Sequence, residues 1–215
     1  MATDALLISM ILGSQALGCG PIVEDAELAS AVISFDATLP DGRVVENIFV
    51  DDVTPAADGT VTFDRTTSAA PNPDAAPMDA SRFLGMIPLS TTAPSWGIDR
   101  RVRSDERERR EALALRPGQK AFVRYDEREA GTGSEEIGRY EVTLLRCGTV
   151  TVDGTHHPTH VYELTKARRR PLSNRSDENG SDAVTRKVVH LSDRHLWPLR
   201  VESSAYTMSA THIAE

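Results

Sequence analysis

Alternation of apolar and polar positions governs most of this chain and predicts strands. Residues 31–39 and 44–53 read as β and are separated by Pro40-Asp41-Gly42-Arg43, whose Asp-Gly pair is a strong hairpin signal. A second Asp-Gly, at Asp58-Gly59, leads into a run where Val61 and Phe63 alternate with polar neighbours. The pattern therefore predicts a short antiparallel meander over 30–67. It lapses over 68–81, which is rich in Ala, Pro, Asp and Ser and reads as a linker. Residues 83–96 are apolar but interrupted by Pro88 and Pro94, which predicts irregular chain packed over a sheet, so 68–99 forms a linker and irregular segment.

One helix stands out, over about 100–115, with Ser104 as its cap and Asp105 and Glu106 near the positive end of its dipole. Opposite charges four residues apart, as in Asp105/Arg109 and Glu106/Arg110, support it. It has almost no apolar stripe before Leu113 and Leu115, and Arg116-Pro117-Gly118 stops it. From Gln119 the period returns to two. Tyr140, Val142 and Leu144 mark one face of a strand, Asp153-Gly154 makes a third turn, and 173–182 is a polar loop between later strands. Eight or nine strands and one main helix predict a mainly β (α+β) fold, an antiparallel sheet that is strongly curved or closed. The segment 100–206 joins 30–67 in one domain.

Composition narrows the function classes. Aromatics make up 5% of the residues, so the core rests on aliphatic side chains. A net charge of -8 argues against nucleic acid as a partner. Residues 5–12 form an apolar block followed by the breakers Gly13 and Ser14, which resembles the middle of an export signal spanning 1–19. The early charge is the acid Asp4, where such signals carry bases. Ala16-Leu17-Gly18-Cys19 resembles the box that precedes a lipidated cysteine, with its leucine one place late. Cys19 is accordingly the candidate lipidation site and membrane anchor. The alternative is a cytosolic β protein that keeps its N-terminus as a folded element. An unlipidated Cys19 is also free to bridge to Cys147.

Candidate chemistry is sparse. His156, His157 and His160 are the tightest titratable cluster, and zinc or copper binding with help from His190 or His195 is one reading. On a strand, however, His156 and His160 stand about 13 Å apart unless Pro158 bends it. No nucleophile elbow, nucleotide-binding glycine pattern or other cofactor motif occurs, which favours a non-catalytic role. The paired acids Asp51-Asp52 and Glu135-Glu136 read as solvated flanks of turns. Trp96 and Trp197 are the large aromatic anchors and either fill the core or line a cavity for an apolar ligand.

Five stretches of the second half, between residues 113 and 203, carry a resemblance. They are Leu115-Arg116-Pro117-Gly118, the strand at 140–146, the hairpin at 148–154 with its partner at 160–164, and Trp197-Pro198-Leu199-Arg200-Val201-Glu202. Together they resemble bacterial envelope proteins of uncharacterised function, periplasmic or lipid-anchored, whose half-barrel sheet wraps a helix or loop. That group carries an aromatic in the strand before the last turn, where Val188-Val189-His190-Leu191 has none. The resemblance implies export to the periplasm or a lipid anchor.

Overall fold

The computed structural model describes residues 22, 27–67, 78–93, 98–130, 133, 135–169 and 184–215. Among them are twelve strands and one helix. The first five strands are β1 (Ala31–Thr38), β2 (Val44–Pro55), β3 (Thr60–Thr67), β4 (Met78–Phe83) and β5 (Ile87–Ala93). After β6 (Ile98–Ser104) comes the helix α1 (Glu106–Leu113), then β7 (Lys120–Glu129), β8 (Glu135–Val152) and β9 (Thr155–Arg169). The chain ends with β10 (Val184–Ser192), β11 (Pro198–Ser203) and β12 (Thr207–Ala214).

Each strand pairs antiparallel with the next, and β1 pairs with β12, so the sheet closes into a barrel rather than stopping at a half-barrel. Closure removes both sheet edges, which would otherwise expose unpaired backbone donors and acceptors. Two of the extra strands, β4 and β5, lie where proline punctuation predicts irregular chain. Pro88 is tolerated because it pairs with Arg82 immediately beside a register shift, where the ladder is already interrupted.

The helix is also shorter than the sequence predicts. Residues 98–104 belong to β6, and Asp105, not Ser104, caps α1 by accepting the backbone N–H groups of Arg107 and Glu108. Its missing apolar stripe is explained by Glu108. This buried carboxylate accepts the Arg124 backbone N–H at 2.7 Å and its Nε–H at 2.6 Å, and Ala112, four residues on, is also buried. An ionic anchor to β7 thus does what a hydrophobic face usually does.

On β7 and β8 the inward positions are mostly apolar and the outward ones mostly polar. Ala121, Val123, Tyr140, Val142 and Leu144 are buried, while Lys120, Arg124 and Arg139 on the same two strands are exposed. A membrane-spanning barrel needs the reverse arrangement, with an apolar band facing lipid. On β7 and β8 these charges stand among the exposed apolar residues Phe122 and Ile137 and interrupt any such band there. No helix among the described residues is long and apolar enough to cross a membrane.

Eight strands already enclose an interior that side chains can just fill, so twelve leave surplus space. In an up-and-down barrel alternate turns gather at one end, and here that end carries α1 and the β2–β3, β4–β5 and β10–β11 turns. The last two are pressed together there. Leu84, Leu196 and Trp197 are all but fully buried, and a Cβ on Gly85 would come within 2.7 Å of the Leu196 carbonyl oxygen. Gly85 also has φ +58°, in the left-handed region. Replacing Gly85 by Ala is expected to cost at least ~2 kcal/mol more than the same change at Gly154, whose added Cβ meets nothing within 4 Å. Denaturant unfolding of both variants checks this, and equal losses would show that the two turns are not in tight contact.

Candidate functional site

Part of the surplus interior remains as a cavity of about 310 Å³ inside the barrel. Trp197, Gly85 and Met86 line it at the level of the packed turns, while Lys187, Thr185 and Tyr206 line it toward the other end. Between them the wall is aliphatic, with Leu164, Val189, Val201 and Met208.

At the deep end lies a buried ionic cluster. Asp51 has no solvent exposure and accepts two hydrogen bonds from Arg65, at 2.6 Å from Nε and 2.7 Å from Nη2. The Trp197 indole N–H donates to the same carboxylate at 3.1 Å. Arg65 lies over the Phe49 ring, 4.1 Å from its centroid, and Phe63 meets Trp197 at 4.5 Å between centroids. Bidentate pairing and aromatic stacking are what a guanidinium does better than an ammonium.

Arg82 is differently placed. It points into the same space, over Phe63 and Trp197 at 5.1 and 5.6 Å, and its recorded hydrogen bond is a long one of 3.4 Å to the Gly85 carbonyl. No carboxylate within salt-bridge distance of it is found among the described residues. Burial, and next the neighbouring Arg65 charge, lower its pKa to about 10, while Asp51 acts in the opposite direction.

Toward the other end, Lys166 pairs with Glu136 at 2.8 Å and lies over the rings of Tyr125 and Tyr140. The Tyr125 hydroxyl donates to Glu136 at 2.6 Å, and burial together with that carboxylate raises the tyrosine pKa well above its ordinary value. Lys187 Nζ donates to the Tyr206 hydroxyl at 3.5 Å. Arg65, Arg82, Lys166 and Lys187 thus all line the cavity, and no carboxylate does so among the described residues.

Of the residues that the sequence singles out, Trp197 stands at this site. Trp96 and Cys19 lie outside the described residues. The three histidines do not converge: exposed His156 bonds Thr151, His160 is buried against Asp193 at 2.7 Å, and neighbouring His157 takes the opposite strand parity. No group of three or more His, Cys, Asp or Glu side chains among the described residues is placed to hold a metal. His190 and His195 are spoken for separately, by Glu202 at 3.5 Å and by the Ala29 carbonyl at 2.9 Å.

Cys147 stands directly across the β8–β9 ladder from His160, itself held by Asp193. Its sulfur is in a disulfide, so it is no nucleophile.

Sequence reasoning places Asp51 and Glu136 in solvent at turn flanks. Instead Asp51 is fully buried in β2 and Glu136 holds Lys166. The basic quartet is also missed. The available signal is that Lys187 shares strand parity with Val189 and Leu191, so a base occupies an inward position.

No protein-family model matches this chain. No curated protein matches it either. Three solved structures are similar. The hypothetical lipoprotein YmcC from Escherichia coli gives a TM-score of 0.48 at 10% identity, over 89% of this chain and 90% of that one. A candidate exported protein with a YmcC-like fold from Bacteroides fragilis gives 0.45 at 8%, over 92% and 100%. A candidate lipoprotein from Parabacteroides distasonis gives 0.41 at 9%, over 91% and 99%. Bacterial lipoproteins and exported proteins are thus among the structural neighbours of this chain, at low identity.

Two predictions come from this geometry. Asp51→Asn leaves the Arg65 charge buried without its counter-charge, so unfolding free energy should fall by about 3 kcal/mol or more; a loss below about 1 kcal/mol would place the pair in effective contact with water. The second concerns pH. Burial lowers the pKa of both His190 and His195 below 6.5, so as pH falls the unfolded chain takes up protons first. The stability they confer is full above pH 6.5 and is lost as pH drops through that value. Thermal midpoints should therefore fall between about pH 7.5 and about pH 5.5, and His195→Gln should flatten the decline.

Proposed function

We propose that this protein is exported to the bacterial envelope, is anchored there through lipid on Cys19, and binds an apolar ligand non-catalytically inside its barrel. The observation that carries the binding role is the cavity itself. It has an aromatic floor at Trp197 and an aliphatic wall, the composition expected of a small-molecule site. A barrel with a charged outer face and an unfilled interior has the form of a container.

Two observations support export. The opening block 5–12 ends in breakers before Cys19. Cys147 is disulfide-bonded, and such bonds persist mainly in oxidising compartments. The sequence holds a single other cysteine, Cys19. One sulfur cannot carry both a lipid thioether and a bridge to Cys147, so these are exclusive fates of the same atom. A second reading, an exported but unanchored protein closed by its disulfide, follows from the bonded state of Cys147.

Intact mass of protein from its native host, measured without reduction, separates these fates. The anchored form lacks residues 1–18 and carries the added mass of acyl chains. Retention of residues 1–18 contradicts export by this route, and cleavage without added lipid favours the bridged form. Protein purified without detergent should also release an apolar molecule, near one per chain, on organic extraction. Extracts that contain none would contradict the binding role.

A further inference from the structure

The cavity is not neutral, and its charge names the ligand more closely than its shape does. A protein of net charge -8 lines this one interior space with four bases and, among the described residues, no acid. Two of the four are balanced within the wall, Arg65 by Asp51 and Lys166 by Glu136. Arg82 and Lys187 have no carboxylate within salt-bridge distance among the described residues.

We propose that the cavity receives an amphiphile with a single anionic oxyacid head, held by the Arg82 guanidinium at the deep end, with its hydrocarbon chain directed toward Tyr206. This deepens the apolar-ligand reading and rests on it. Arg82 is half-buried, and a cation partly withdrawn from water without a counter-charge is costly; an anion beside it removes that cost. Arg82 is suited to the task because its planar fork matches the two oxygens of a carboxylate or phosphate, and it lies over Phe63 and Trp197. Its lowered pKa, about 10, still leaves it charged at neutral pH.

The lining on the way out is apolar. Leu164, Val189, Val201 and Met208 offer no partner to a polar chain. Lys187 stands at the far end, where it raises the local concentration of an incoming anion. A cavity of about 310 Å³ makes a short-chain amphiphile such as octanoate a suitable probe.

Titration calorimetry and thermal shift with four probes of graded chemistry test this on the full chain. Octanoate and octyl phosphate are expected to bind and to raise the unfolding midpoint. Octanol should bind at least tenfold more weakly, and octylammonium should give no shift. Comparing the two acids identifies which head the site prefers, and inorganic phosphate alone should bind at least tenfold more weakly than either. Arg82→Gln should weaken octanoate at least tenfold while leaving octanol unchanged, and Arg82→Lys should recover part of the loss. Lys187→Gln should slow association more than it weakens binding.

The proposal is overturned if octanol and octanoate bind equally to the wild-type protein, a result that leaves the apolar-ligand reading intact. It is overturned together with that reading if none of the four probes binds. Inorganic phosphate binding as tightly as octanoate would make the site an anion site and overturn the amphiphile. Because the wild-type comparison alone decides the charge preference, the outcome stands even where Arg82→Gln fails to fold.

Discussion

A carboxylate with no access to water, Asp51, ties together parts of the barrel that are far apart in the chain. It takes both donors of Arg65 from the neighbouring strand and the indole N–H of Trp197 from a turn 146 residues away. Burying one charge commits the fold to burying its partner, and losing either leaves the other exposed to a low dielectric. The β10–β11 turn is drawn inward by this contact, and with it Leu196, which sits against Gly85 of the opposing turn. The closed end of the barrel, and the floor of the cavity, follow from that one ionic contact.

The second constraint is geometric. Twelve strands enclose more volume than inward side chains can fill. This chain has few aromatics with which to fill it, at 5% of its residues. Packed turns occupy one end, and a cavity of about 310 Å³ remains beside them. The polar groups that pack into the interior are bases with partial balance, and the residual positive charge follows from which partners the wall supplies. A charged exterior and an interior with room to spare are two faces of the same alternation.

Much of the fold is legible in the residue pattern. The Asp-Gly turns at residues 58–59 and 153–154 connect the strands that the alternation predicts, and the antiparallel order follows from short connections. Closure is not legible, because it depends on β1 meeting β12 across the whole chain, a contact with no local signature. β4 and β5 are hidden by proline, which the structure accommodates at a register shift. The helix is recognisable by its charges, yet its anchoring through Glu108 looks like a solvated face until Arg124 is brought beside it.

The site is less legible than the fold. Trp197 is visible as a rare large aromatic, but Asp51 reads as a solvated turn flank because its ion pair with Arg65 across two strands needs register to be seen. The histidine cluster draws attention by proximity in sequence, and strand parity then sends neighbours to opposite faces. A crystal structure of the protein with a terminally brominated octanoate tests the central claim most directly. The account predicts bromine scattering inside the barrel toward Tyr206 and the carboxylate within hydrogen-bond distance of Arg82. Bromine found only on the outer face, or the cavity filled by the protein's own side chains, would contradict it.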